Sequence, residues 1–220
     1  MNGRGKVTST VLKTEKSGPK MALVPIDELK PHEKGSPVYL ELLKQEILRA
    51  GVLKYPIIAD DKTRVILDGM HRWLVLKNLG HMLIPTILVD AMNDRRIRVG
   101  TRRIHRYVRE SEDEVSIEMV LSAGLNGHLM KPRSTRHFFP FSKFRRINCG
   151  LNLLGKRTPQ DISKYLVRAS ERECKAAVEE WLDEISEELE FLKGRTQEVE
   201  QERAEFIDRV KNMNNGFSIF

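Results

Sequence analysis

The sequence predicts an α+β protein with a helical C-terminal extension, and three observations carry the prediction. Between residues 21 and 90, short apolar runs bounded by turn signals alternate closely with segments of helical period. Residues 91–155 continue the mixture less regularly, as a second, smaller α/β part that would complete a cleft. After Thr158-Pro159 the strand signals stop, and apolar residues recur every seventh position through the extension, residues 156–220.

The elements follow in order. Residues 1–20, MNGRGKVTSTVLKTEKSGPK, are polar, basic and glycine-containing, and read as a flexible arm. MALVPIDEL reads as a short strand stopped by Pro25 and followed by a turn. SPVYLELLKQEILRAG places Val38, Leu42, Leu43, Glu46 and Ile47 at helical spacing, with Ser36-Pro37 as cap and first residue and Gly51 as the stop. YPIIAD is a strand, DKT a tight turn and RVILDG the antiparallel partner. HRWLVLKNLG is a second helix ended by Gly80, and LIPTILVD a further strand.

In the middle part, RRIRVGTRRIHRYV alternates basic and apolar residues as a half-buried strand would. SEDEVSIEMVLSAGL reads as a helix capped by Ser111 or Ser116, GHLMKPRSTRHFFPF as a loop-rich segment, and RRINCGLNLL as another strand. In the extension, Leu182, Leu189, Thr196, Arg203 and Val210 share one heptad position, and Ile185, Leu192, Val199, Phe206 and Met213 the other. Thr196 and Arg203 spoil the first position and Gly194 interrupts the pattern. An amphipathic helix braced on its own domain and a coiled-coil arm that joins two copies both satisfy these residues.

The net charge of +7 over 220 residues favours phosphate-bearing partners, nucleic acid and nucleotide alike. No apolar run approaches the roughly eighteen residues needed to cross a bilayer, and no signal-peptide core follows Met1. Cys149 and Cys174 stand in no metal-binding spacing, so the expectation is a cytoplasmic protein with free thiols and no protein-built metal set.

Three stretches can carry chemistry. In VILDGMHRW the strand ending at Asp68-Gly69 feeds a helix whose first amides, those of residues 70–72, suit an anion. Arg72 adds a bidentate grip on phosphate and His71 a second donor. The plainer reading of the same residues is a capping Asp68 with both basic side chains in water. KPRSTRHFFP packs Arg133, Ser134, Thr135, Arg136 and His137 into consecutive positions, hydroxyls beside guanidinium groups. In LKPHEKGSP, His32-Glu33 sits in a turn ahead of the first helix, where a carboxylate can reach a cleft.

Taken with their context, VPIDELKPHE and then GVLKYPIIADDKTRVILDGMHRWLVLKNLGHMLIPTILVD, these stretches resemble the ParB/sulfiredoxin-like superfamily. Partition proteins of the ParB type carry Gly-Glu-Arg-Arg at the turn, and sulfiredoxins a catalytic cysteine where this chain has Met70, whose thioether cannot replace it. The free L-serine kinases carry Asp-Gly-His-His-Arg, an upstream His-Glu pair and a downstream Pro-Lys-Ser-Thr-Arg-His loop. Asp68-Gly69-Met70-His71-Arg72, His32-Glu33 and Pro132-Arg133-Ser134-Thr135-Arg136-His137 match that branch in order, over about residues 21–155. Met70 in place of the first paired histidine and Arg133 in place of lysine are the departures.

The resemblance implies a kinase that moves a phosphoryl group from ADP or ATP to the hydroxyl of free L-serine, giving O-phosphoserine. It makes Glu33 the general base and puts the nucleotide phosphates on Asp68, Gly69, Met70, His71, Arg72, Ser134, Thr135, Arg136 and His137. His32 and Arg133 fall to the substrate. Mg2+ would accompany the nucleotide, held mainly by phosphate and water. Neither a Walker A sequence nor a kinase glycine-rich loop occurs. The other reading is a ParB-like regulator that binds DNA or nucleotide without kinase activity, with TPQDISKYLVRASERECKAAVEEWL as a degenerate helix-turn-helix feeding a dimerising tail. Acidic residues between 171 and 205 oppose DNA there.

Overall fold

The computed structural model describes residues 10–11, 20–101, 115–132, 134–168 and 170–216. The chain divides into two units, Met1–Arg168 and Ala169–Phe220. Nine strands belong to the first unit among the described residues: β1 (Thr10–Val11), β2 (Met21–Pro25), β3 (Val52–Leu53), β4 (Ile57–Asp60), β5 (Ile66–Asp68), β6 (Leu83–Val89), β7 (Arg98–Thr101), β8 (Thr135–Phe138) and β9 (Cys149–Gly150). Its helices are α1 (Pro37–Ala50), α2 (Met70–Asn78) and α3 (Ile117–Asn126). The second unit is one helix, α4 (Glu171–Gly216). No described helix is long and apolar enough to cross a membrane.

The main sheet runs β1-β2-β6-β4-β5. Its pairs are antiparallel except β6 with β4, where Ile57 stands opposite Thr86 and Asp60 opposite Val89. Alternation along the strands gives each face its own core. Ile57, Ala59, Ile66 and Ile84 pack with Trp73, Leu74 and Leu76 of α2 and with Leu40 and Ile47 of α1. Ile58, Leu67, Ile87 and Val89 pack on the other face with Val120 and Leu121 of α3. This two-sided cover is why IIAD is buried at every position, where a half-exposed strand would alternate.

Local chemistry fixes the element ends. Pro37 opens α1, and Gly51 closes it in the left-handed region at φ 66°. The β4–β5 turn hangs on Asp60, whose carboxylate accepts from the Thr63 amide and hydroxyl and from the Ala91 amide. α3 starts from Ser116, whose hydroxyl accepts from the Met119 amide at 3.2 Å. Residues 102–114, which include Ser111, lie outside the described residues, as do most of the arm and the end of the basic strand expected after Arg98.

Three expectations are corrected. Within the segment read as loop, Thr135–Phe138 is a strand that pairs antiparallel with β7, from Arg98 opposite Phe138 to Thr101 opposite Thr135. The β-branched and aromatic residues of TRHF outweigh the preceding Pro132 once a partner strand is present. RRINCGLNLL is mostly not strand: Asn148 turns at φ 44°, only Cys149–Gly150 pairs with β3, and Leu151–Leu154 winds into a 3-10 helix.

The third concerns the extension. The continuous helix begins at Glu171 rather than at 156, and residues 156–168 contain only one 3-10 turn, Ser163–Tyr165. That segment is fastened to the first unit. Arg157 N–H donates to Gly80 O at 2.7 Å, Gly35 N–H donates to Tyr165 O at 2.8 Å, and Val167 N–H returns a bond to Gly35 O. Ile162 is buried and Tyr165 packs edge-on against Trp73. The helix-turn-helix reading therefore fails among the described residues. α4 itself starts from a reciprocal cap, Ser170 N–H and hydroxyl on Glu173 Oε2 and Glu173 N–H on Ser170 Oγ, and it passes through Gly194 unbroken.

A truncation separates these segments. A chain ending at Arg168 should unfold cooperatively, because it keeps residues 156–168 and their bonds to Gly35 and Gly80. A chain ending at Gly155 loses the buried or half-buried Ile162, Tyr165 and Leu166, each worth about 1.5–3 kcal/mol when fully buried. Against a usual total of roughly 5–15 kcal/mol this should lower the melting temperature by many degrees or abolish folding, as calorimetry would show.

Candidate active site

The turn between β5 and α2 is the centre of the site. Gly69 occupies the N-cap position at φ 93°, a conformation that favours glycine, and a Cβ there would meet Ile57 Cγ2 at 2.6 Å. The first amide to bond within the helix is that of Trp73, to Gly69 O at 3.1 Å. The amides of Met70, His71 and Arg72 thus have no intrahelical acceptor and stand at the positive end of the helix. Asp68 does not cap α2; the cap makes no side-chain hydrogen bond. Its carboxylate is instead bridged by two cations, Arg72 Nη2 at 2.6 Å on Oδ2 and Lys143 Nζ at 3.0 Å on Oδ1. Burial works to raise this carboxyl's pKa, but Arg72 and Lys143 outweigh it and hold the group below the usual carboxylate range.

The His32-Glu33 turn is clamped from two sides. Met130 N–H donates to His32 O and Lys34 N–H donates to Met130 O, which fixes the backbone on either side of Glu33. The His32 ring is buried, with Nδ1 2.6 Å from Ile66 O and Nε2 2.8 Å from Thr135 Oγ1. A carbonyl only accepts, so Nδ1 carries the proton and the Thr135 hydroxyl donates to Nε2. One histidine thereby ties the turn, β5 and β8 together. Glu33 is 8% exposed, with Oε2 3.9 Å from His32 Nε2. His137, also buried, stands edge-on to His32 and stacks on Phe139.

These groups converge on one cavity of about 420 Å³. Of the residues singled out in the sequence, His32, Glu33, Asp68, Gly69, Met70, His71, Arg72, Thr135, Arg136 and His137 line it. Ser134 does not; its hydroxyl donates to Lys131 O at 2.8 Å and closes a turn. Arg133 lies outside the described residues. The role expected of His71 changes in part, since its Nε2 accepts the Ser36 N–H at 2.9 Å and is not a donor. That bond joins the starts of α1 and α2. Met70 is buried in the first core and also lines the cavity. Sequence reasoning missed Lys143 and, at the outer end, Tyr39, Tyr55 and Phe144. Nothing in the spacing of FSKF marks Lys143; only the fold brings it to Asp68.

The two buried histidines set a pH dependence. Burial pushes His32 down to about 4; burial, reinforced by neighbouring His32, pushes His137 down to about 3. The unfolded chain, with histidine near 6.5, binds more protons than the folded one in between. Stability is therefore full above about pH 6.5 and is lost as pH falls toward 4. Urea unfolding at pH 7.5, 5.5 and 4 should show a drop on the order of a few kcal/mol. His137→Phe should flatten part of that slope.

In fold, the chain is similar to free serine kinase solved in complex with AMP, with a TM-score of 0.55 at 16% identity over 66% of this chain and 98% of that one. The chain thus shares its α+β fold with free serine kinase. In sequence, the chain is 36% identical over 103 residues to an ATP-dependent L-serine kinase of Staphylothermus marinus, covering 43% of this chain and 40% of the relative. It is 42% identical over 65 residues to a ParB-like protein of Sulfolobus acidocaldarius, covering 29% and 31%. It is 28% identical over 75 residues to the ADP-dependent L-serine kinase SerK of Thermococcus kodakarensis, covering 32% and 31%. The chain therefore spans 40% or less of the length of these curated relatives. No family model matches it.

Proposed function

We propose that this protein is a small-molecule kinase that transfers the terminal phosphoryl group of ADP or ATP to the hydroxyl of free L-serine, giving O-phosphoserine in the cytoplasm. The observation that carries the proposal is the convergence of His32-Glu33, Asp68–Arg72 and Thr135–His137, distant in sequence, on one cavity. The homologous L-serine kinases and the shared fold give that convergence its chemistry.

In this reading the nucleotide phosphates rest on the amides of Met70, His71 and Arg72 and on the Arg72 guanidinium, with Arg136 lining the same cavity. Asp68 acts through its cations, since a carboxylate repels phosphate. His32 orients Thr135 and the Glu33 turn. Glu33 takes the proton as the serine oxygen bonds to the terminal phosphorus. The bond from that phosphorus to its bridging oxygen breaks, the electron pair stays with the leaving AMP or ADP, and the proton resides on Glu33.

Among the described residues, no three His, Cys, Asp or Glu side chains gather as a metal set, and Asp68 is already bridged by two cations. We therefore assign Mg2+ to the nucleotide, bound through phosphate oxygens and water, where it neutralises charge on the phosphates. We assign the heptads of α4 to pairing with a second copy: Leu182, Leu189, Leu192, Val199 and Phe206 are all exposed along it. Sedimentation of the full chain at micromolar concentration should give twice the monomer mass if so.

Incubation with L-serine, Mg2+ and either ADP or ATP, followed by phosphorus NMR, tests the activity. Phosphoserine with stoichiometric AMP or ADP is the expected result. Binding of duplex DNA with no phosphoserine would favour the regulator reading instead.

A further inference from the structure

We propose that Lys143, which stands in none of the three motifs, contacts the terminal phosphoryl group of the nucleotide and neutralises it during transfer. The inference rests on the kinase reading above and adds a residue to it.

Lys143 belongs to a loop without regular structure, between β8 and β9, yet it is held at both ends. On one side Phe139 and Phe141 stack on each other and pack against the second core. On the other, Ile147 N–H donates to Lys54 O at 2.8 Å. The ammonium group reaches Asp68 Oδ1 at 3.0 Å, and the side chain lines the same cavity as Glu33, Arg72 and Arg136.

Charge balance is what points to phosphate. Asp68 is one carboxylate shared by two cations, so this trio carries an excess positive charge beside the positive end of α2. A fully satisfied structural ion pair needs one cation. The ammonium has three donors and spends one on Asp68; it also stands 5.4 Å from the centre of the Phe144 ring, and donor capacity remains for a ligand. The Lys143 side chain is 30% exposed, open enough to meet an anion and shielded enough for the contact to count. Asp68 then serves as the post that holds Lys143 next to Arg72, so that a nucleotide gripped at the helix start by Arg72 meets a second cation at its terminal group.

The test is calorimetric titration of full-length wild type, Lys143→Met and Lys143→Arg with AMP, ADP and ATP, together with turnover. If Lys143 touches the group that AMP lacks, Lys143→Met should leave AMP affinity within about twofold. It should weaken ADP or ATP and lower turnover by about tenfold to a hundredfold, the usual worth of a charge-assisted contact. Lys143→Arg should recover part of both. Equal loss for AMP and ADP would mean that Lys143 only props Asp68, and no loss for either would mean that it faces solvent; both overturn the assignment while the kinase stands. A wild type that binds none of the three nucleotides would overturn the kinase reading and this assignment with it.

Discussion

Glu33→Gln should lower turnover by about a hundredfold or more while AMP affinity stays within about twofold. The two side chains have the same shape, and the Met130 backbone bonds that clamp this turn do not involve the carboxylate. What changes is the ability to take a proton. In the proposed mechanism Glu33, a carboxylate at 8% exposure that lines the cavity, is the group that takes the proton of the acceptor hydroxyl. Of the other two carboxylates on the cavity, Asp68 is held ionised but shielded by Arg72 and Lys143, and Glu46 is paired with Lys54 Nζ at 2.5 Å. Single-turnover measurement with saturating nucleotide isolates the chemical step from binding. Near-normal turnover of the variant would remove Glu33 from the mechanism.

Much of the first unit could be read from residues with strong local signals. Ser36-Pro37 and Gly51 bound α1, the DKT turn joins an antiparallel pair, and Gly80 ends α2, because caps and turns are decided within a few residues. The motif residues were legible as types, and most of them line the cavity. What failed depends on partners far along the chain. TRHF is a strand because RVGT lies beside it, and 156–168 stays out of helix because Gly35, Lys77 and Gly80 offer it backbone bonds. Heptad counting cannot see those bonds. Lys143 is separated from Asp68 by seventy-five residues, and a lone lysine between aromatics carries no pattern. Ser134 shows the converse: the motif selected it, and a local turn with Lys131 claims its hydroxyl.

Arg72→Ala should weaken both AMP and ADP by about tenfold to a hundredfold, unlike the change at Lys143, because Arg72 stands at the helix start where any phosphate would sit. The difficulty is that it also strips one of two cations from a half-shielded carboxylate: the Asp68 side chain is 23% exposed and the Arg72 contact is 2.6 Å. Some lost affinity would then be lost structure. A double-mutant cycle divides the two. Asp68→Asn alone leaves Arg72 and Lys143 without their shared anion, so phosphate binding should persist while the cations lose their fixed separation and turnover falls. Arg72→Ala with Asp68→Asn removes the uncompensated charge, and should regain most of the melting temperature lost in Arg72→Ala. If Arg72 grips phosphate, nucleotide affinity should stay low in that double variant. If affinity returns together with stability, Arg72 served only to satisfy Asp68, and the phosphates must rest on the amides of α2 and on Arg136.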